Sequence, residues 1–475
     1  MVFNNPEKRL NFAIVCFLCI LSSLILFLGL NGSLRDWDES VYAQVAKENL
    51  ENRDWYNLYW NKGIWIDKPP LMIWVTRLVY ESFGVGEWQA RIGSAFAGFI
   101  LVFITYFWVK KLLGVYAGCL SALILLGTPH FIRIAKMGQL DVPVAMFSTV
   151  SLYFFFLAVR EKKNYFFLLS GVAVGLALMT KWVVGLFPVF VQCALFFFPD
   201  YRKVVKNKYW WLGNFLAIVV IAPWFIQQYL QFHNFFLGHF IGMKLLGSIG
   251  SEIAGHGGGI FYYIDIMISK SRPWIFVFIP IFFVLVYKTI RKDRISIFLF
   301  VWFCVVFFLF SFSKTKLHWY IMPVYPSFAF IITYILTDFI RSNKYRGILV
   351  CAAVFVIVGH VFFTREYIKL DLNKEMKEFL NIAGDSLKKE DVLYVYKGTF
   401  SPSLLFYTGK KVVLINDDED FNSELNNDYE ITVISDYKNC DYIVNLIDAK
   451  KFDMIKPPLN SKKYNAFFIK INNKG

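Results

Sequence analysis

The run FAIVCFLCILSSLILFLGL at residues 12–30 is followed, within five residues, by RDWDES at 35–40. A helix over the first stretch is about 28 Å long, close to the ~30 Å hydrocarbon core of a bilayer. The change to three carboxylates in four residues then puts Asp36, Asp38 and Glu39 at a membrane surface. Lys8 and Arg9 precede the run, and no small-residue cleavage site follows it, so it reads as a retained first span.

Runs of the same kind recur at 92–109, 113–129, 142–159, 164–180, 182–199, 210–230, 273–289, 295–312, 319–338 and 347–363. The expectation is an α-helical polytopic membrane protein of about eleven transmembrane helices. Composition agrees: 57% of residues are hydrophobic, 18% are charged and 52 are Phe. Soluble domains run about 45–50% apolar and about 25% charged, so a soluble globule is excluded, as is a disordered chain. Six of the seven Cys (16, 19, 119, 193, 304 and 351) lie in apolar runs, which excludes a disulfide framework.

Charge divides the chain near Thr364. Residues 365–475 carry 17 basic and 18 acidic residues, whereas residues 1–364 have a net charge of +16. The expected domains are therefore a membrane part, 1–364, with a long outer loop at 31–91, and a water-soluble part, 365–475. The latter reads as a small C-terminal α/β domain, with helical periodicity over 370–387 and strands at 392–396, 412–415, 429–435 and 466–471. In the loop, Val41–Leu50 is an amphipathic stretch suited to an interfacial helix. With the N-terminus inside, the inner loops have a net charge of +13 and the outer ones +3. Lys and Arg collect on the cytoplasmic side, so the overall +15 points to membrane topology and not to nucleic acid. The tail then lies outside.

The chemistry-bearing residues fall on that outer side. A carboxylate such as Asp38 suits a general base, and Asp36 or Asp38 also suits a helix cap. In IDKPPL at 66–71, Lys68 is held beside two prolines on a stiff backbone, which suits a fixed cation for a phosphate. Asp141 stands at the mouth of an apolar helix, where a carboxylate is costly unless paired or functional. Lys181 separates two apolar runs with no cytoplasmic loop to justify it, His256 stands in a Gly-rich loop with Arg272 downstream, and Lys316 and Tyr320 open the tenth span. Carboxylates at the edge of a helix bundle suit a reaction on a phosphorylated lipid, with Lys68, Lys181, Arg272, Lys316 and Tyr320 converging on its phosphate.

Asp38-Glu39, Asp67-Lys68-Pro69-Pro70-Leu71, Asp141 before Val-Pro, Thr180-Lys181 and Lys316-Leu-x-x-Tyr320-Ile-x-Pro323 occur in this order across roughly residues 10–340. In this the sequence resembles the bacterial lipid A aminoarabinose (4-amino-4-deoxy-L-arabinose) transferases and the protein O-mannosyltransferases, which are C-type membrane glycosyltransferases. The resemblance implies a polyprenyl-phosphate sugar donor, an active site on the extracytoplasmic side of the bacterial cytoplasmic membrane, and no nucleotide cofactor. It implies Asp38 as the catalytic carboxylate with Glu39 in support, Asp141 as the alternative, and Lys68, Lys181 and Tyr320 on the lipid phosphate. By the same resemblance Asp67 and His256 would hold a divalent metal ion, although Asp67 stands where the relatives have Glu. The expected acceptor is a glycolipid such as lipid A, a polysaccharide or a protein. A different class, a lipid-linked sugar flippase, would place charges along a path at bilayer depth and on both faces.

Overall fold

The computed structural model describes residues 6–238, 257–364, 392–397, 401–420, 431–436, 452–455 and 466–471, with isolated positions between 371 and 381. The chain divides into two units. The first is Met1–Leu30, Ile66–Thr76 and Arg91–Leu370, and the second is Asn31–Trp65, Arg77–Ala90 and Asp371–Gly475. The second unit thus joins segments of the loop after the first span to the tail.

Up to residue 237 the helices are α1 (Pro6–Phe27), α2 (Asp38–Glu51), α3 (Leu71–Phe83), α4 (Glu87–Leu113), α5 (Val115–Leu126), α6 (Pro129–Ala135), α7 (Asp141–Glu161), α8 (Tyr165–Lys181), α9 (Phe187–Leu195), α10 (Pro199–Arg202) and α11 (Lys208–Leu237). Beyond it come α12 (Tyr262–Lys270), α13 (Trp274–Ile290), α14 (Arg294–Phe312), α15 (Tyr325–Phe339) and α16 (Asn343–Phe363). Among the described residues, eight helical stretches are long and apolar enough to cross a membrane, or nine if α5 and α6, bent by 71°, form one span. The protein is a multi-pass membrane protein, but the count of eleven is not reached. The α13 helix is short at 17 residues, the 113–129 run is broken between α5 and α6, and Tyr165–Leu195 continues as one helical stretch through the short 3₁₀ segment Trp182–Leu186.

That last stretch nevertheless doubles back. Gln192 Nε2, on α9, lies 3.3 Å from Ser170 Oγ on α8. The Phe155 ring meets Phe167 at the start of α8 and Phe196 just beyond α9, with centroids 6.0 and 6.5 Å away. In a straight helix those two positions would be about 44 Å apart. The reversal falls at Lys181–Trp182, where Trp182 has φ 27°. Gly185 presses so closely on the Ala177–Leu178 backbone that a Cβ there would come within 2.5 Å of it, so only glycine allows the return. The runs 164–180 and 182–199 are therefore two antiparallel arms with Lys181 at the tip.

Packing within the first unit follows the same close-approach logic. On α8 a Cβ at Gly171 would fall 1.8 Å from the Gly213 carbonyl oxygen of α11, so small residues bring the two helices together. A buried polar cluster ties four helices: Ser151 and Ser170 hydroxyls lie 3.0 Å apart, and Trp210 Nε1 donates to Gln192 Oε1 at 2.8 Å. Trp108 and Trp302 stack at 5.6 Å, flanked by Phe156, Phe298 and Phe330.

The second unit holds two sheets. Strands β1 (Leu58–Trp60) and β2 (Gly63–Trp65) form an antiparallel hairpin. Strands β3 (Val392–Tyr396), β4 (Lys411–Ile415), β5 (Ile431–Asp436), β6 (Phe452–Ile455) and β7 (Ala466–Ile471) form a sheet of order β4-β3-β5-β7-β6. β3 runs parallel to β4 and β5, while β7 is antiparallel to β5 and β6. Helix α17 (Pro402–Thr408) connects β3 to β4. β6 had no signal in the sequence, and the helix expected over 370–387 lies mostly outside the described residues. The Val41–Leu50 stretch does form helix α2. Its buried positions, Tyr42 to Ala46 with Glu48 and Asn49, run round the helix, which is the pattern of a packed helix and not of one lying on a membrane.

Candidate active site

In the second unit the RDWDES turn is fixed by hydrogen bonds that leave one carboxylate over. Trp37 takes φ 66° and α2 begins at the next residue. The Arg35 N–H donates to Glu39 Oε2 at 2.7 Å, and Ser40 returns its N–H (3.2 Å) and hydroxyl (2.8 Å) to the Arg35 carbonyl. Glu39 is only 1% exposed. Asp36 Oδ1 accepts from the Ser403 N–H at 3.0 Å and from the Ser401 hydroxyl, so it caps the N-terminus of α17 and not of its own helix. Asp38 is half-buried and makes no hydrogen bond or ion pair with any described residue.

The tail supplies further bonds to the loop. Ser33 gives its N–H and hydroxyl to Asp371 Oδ1 at 3.0 and 2.7 Å, and the Leu34 N–H donates to the Tyr407 hydroxyl at 2.8 Å. Asn61 exchanges two 2.8 Å bonds with the Val412 backbone. Lys47 Nζ donates to the Phe406 carbonyl at 3.1 Å, and burial pulls its ammonium below the usual lysine range against the opposing pull of Glu51 and Glu48. Glu48, which the sequence reading passed over, accepts from Gln44 Nε2 (2.7 Å) and from the N–H groups of Asn61 and Lys62 (2.8 Å each). Both hairpin residues have positive φ, 55° and 64°, so the buried carboxylate holds a strained turn just upstream of Asp67.

In the first unit, Asp141 opens α7 and Lys181 closes α8, and both are buried. Lys181 Nζ donates to Asp141 Oδ1 at 2.7 Å and lies 4.6 Å from the Tyr320 ring centroid. The ammonium therefore has a carboxylate on one side and an aromatic face on another. Tyr320 belongs to a 3₁₀ turn, His318–Val324, and the preceding Leu317 carbonyl accepts from the Tyr263 hydroxyl at 3.1 Å. Lys316 is buried on the same segment, its Nζ donating to the Ser313 carbonyl. Asp141, Lys181 and Tyr320 are thus brought together, with Lys316 four residues from Tyr320.

Arg272 does not join them. It is exposed, and its hydrogen bond goes to the Ile268 carbonyl at 3.3 Å. Asp67 and Lys68 are half-buried in the link between β2 and α3, followed by the buried Pro69 and Pro70. His256 lies outside the described residues, and among those described no group of three or more His, Cys, Asp or Glu side chains is placed to hold a metal ion. Sequence reasoning missed the buried cations Arg91 and Lys136 and the buried His130. The first two carried a readable signal, a charge inside otherwise apolar surroundings. His130 carried none, because a lone histidine beside Pro129 reads as core.

Against known proteins, the family described as dolichyl-phosphate-mannose-protein mannosyltransferase matches residues 67–226, from Asp67 past Lys181. ArnT from Cupriavidus metallidurans, in its crystal structure bound to undecaprenyl phosphate, superposes with a TM-score of 0.80 at 19% identity, over 96% of this chain and 98% of that one. The fold is that of a C-type membrane glycosyltransferase. Two relatives match in sequence. One is the undecaprenyl phosphate-alpha-4-amino-4-deoxy-L-arabinose arabinosyl transferase of Wigglesworthia glossinidia brevipalpis, 26% identical over 371 residues, which are 75% of this chain and 64% of that protein. The other is a protein of Aquifex aeolicus, 31% identical over 325 residues, 67% of this chain and 62% of its own length. The match therefore spans under two thirds of the length of these curated relatives. Within the C-type fold, the matched region holds Lys68, Asp141 and Lys181.

Proposed function

We propose that this chain is a glycosyltransferase that moves a sugar from a polyprenyl-phosphate donor to an acceptor hydroxyl or phosphate on the extracytoplasmic face of the cytoplasmic membrane. The observation that carries the reading is the buried Lys181 ammonium at the tip of a helix reversal, bound to Asp141 and covered by Tyr320. A fixed cation at the end of an apolar hairpin suits a phosphate whose lipid tail lies in the bilayer. The relatives' names, which specify undecaprenyl phosphate, support the same donor class.

The reaction follows from leaving-group chemistry. With a hydroxyl acceptor, Asp38 takes the hydroxyl proton, the acceptor oxygen forms a bond to the anomeric carbon, and the bond from that carbon to the phosphate oxygen breaks. The electron pair leaves on polyprenyl phosphate, and single displacement inverts the anomeric centre. Lys68, Lys181 and Tyr320 bear on the charge that develops on the phosphate. The metal expected at Asp67 and His256 enters no step, since only Asp67 is among the described residues.

The direct test is mass spectrometry of outer glycolipids and glycoproteins from cells with and without the protein, where an unchanged profile would sink the proposal. Lys68→Ala in purified protein is expected to raise the apparent donor KM by roughly 10–100-fold, the worth of one charged hydrogen bond. Near wild-type turnover would make Lys68 a snorkelling interfacial residue. For sidedness, an impermeant thiol reagent should reach a cysteine at Glu419 in outer-permeabilised cells and miss one at Lys206, both exposed positions. The reverse pattern would move the proposed site to the cytoplasm.

A further inference from the structure

Four polar side chains from four separate segments form an unbroken hydrogen-bonded chain that the proposed reaction leaves unused. Ser271, between α12 and α13, donates its hydroxyl to Tyr325 Oη at 3.2 Å, at the start of α15. Tyr325 Oη lies 2.8 Å from His130 Nδ1 on α6, and His130 Nε2 lies 2.9 Å from His318 Nδ1. Ser271, Tyr325 and His130 are buried, and His318 is half-buried.

The His130 ring bonds through both nitrogens, Nδ1 to Tyr325 and Nε2 to His318. The link between the two imidazoles forms in either tautomer, with His130 Nε2–H donating to His318 Nδ1 or His318 Nδ1–H donating to His130 Nε2.

This chain ends on a functional segment. His318 opens the 3₁₀ turn whose third residue, Tyr320, covers the Lys181 ammonium, and it follows Lys316 by two positions. Hydrogen bonds in a 3₁₀ turn are poorly aligned, so the turn depends on bonds from its neighbours. Two of these come from side chains: Tyr263 on the Leu317 carbonyl and His130 on His318.

We propose that His130 is a positioning residue: acting through His318 Nδ1, it latches the Lys316–Tyr320 turn to α6 and keeps Tyr320 over Lys181. The proposal rests on Lys181 and Tyr320 serving the donor phosphate, as proposed above. An Asn side chain places its amide where Nδ1 lies, and Gln places its amide where Nε2 lies, so the two substitutions separate a latch from a residue that touches ligand.

The experiment uses the full-length protein in lipid nanodiscs, with undecaprenyl phosphate binding and transfer from an undecaprenyl-phosphate sugar as readouts. His130→Ala, His318→Ala and His318→Gln should each weaken binding and raise donor KM on the order of tenfold, with little change in kcat. His318→Asn should stay near wild type. His130→Ala/His318→Ala should lose about the same tenfold and not a hundredfold, since both act through one bond. Additive losses, or activity kept by His318→Gln and lost by His318→Asn, would overturn the latch. So would wild-type binding in every variant. If wild-type protein neither binds undecaprenyl phosphate nor transfers sugar, the phosphate reading fails, and the proposal falls with it. The Asn and Gln contrast at half-buried His318 stays readable even if His130→Ala does not fold.

Discussion

Asp38→Asn is expected to lower kcat by about 10²–10⁴-fold, the usual worth of a positioned general base, while donor binding and folding persist. The expectation rests on how the three carboxylates of the turn are used. Asp36 is spent on Ser401 and Ser403, and Glu39 is buried and accepts the Arg35 N–H at 2.7 Å. Asp38 alone among them has no partner among the described residues, so its carboxylate is free to take a proton. Asn keeps its size and loses only basicity. Glu39→Gln keeps an acceptor oxygen for Arg35 and should cost far less in rate, its effect appearing as a lower melting temperature. The comparison is kcat for the two purified variants on one polyprenyl-phosphate sugar. If Asp38→Asn keeps more than a tenth of the wild-type rate, the base lies elsewhere.

Lys181→Met is expected to abolish donor binding and to destabilise the protein by about 3–5 kcal/mol, because it breaks a buried ion pair from one side. The pair is 2.7 Å apart and both side chains are almost wholly buried. Lys181→Met/Asp141→Asn removes both charges of the pair and should recover most of the thermal stability in detergent, since a buried ion pair is replaceable in stability terms. It should recover none of the donor binding. A double variant that regains transfer to within tenfold of wild type would show that Lys181 serves only Asp141. The same geometry pairs Asp141 with a cation, whereas the proposed reaction takes the proton on Asp38.

Much of the membrane part was legible. Each expected apolar run contains a helix, because transmembrane hydropathy is a local property of the chain. The anomaly at Lys181 was legible too, since a cation between apolar runs has to be explained. The reversal there was legible as two successive runs meeting at Lys181; what could not be read was its dependence on Gly185 meeting Ala177. Nor could the pairing of Asp36 with Ser403 or of His130 with His318, separated by 367 and 188 residues, be found by any periodicity. Asp36 suited a cap, and it is one, but for a helix at the other end of the chain. The span count differs for a simpler reason: hydropathy measures apolar length, whereas α5–α6 bends and α13 stops short.

The bonds between the RDWDES loop and the tail also have a timing consequence. At a synthesis rate of roughly 5–20 residues per second, Ser401 leaves the ribosome roughly 20–70 s after Asp36. Through that interval the turn bearing Asp38 lacks its Ser401 and Ser403 partners. A chain interrupted before residue 401 would therefore carry every apolar helix up to Phe363 and still never complete that turn. In biogenesis, insertion into the bilayer and completion of that turn become separate events, and the second waits until translation has passed Ser403.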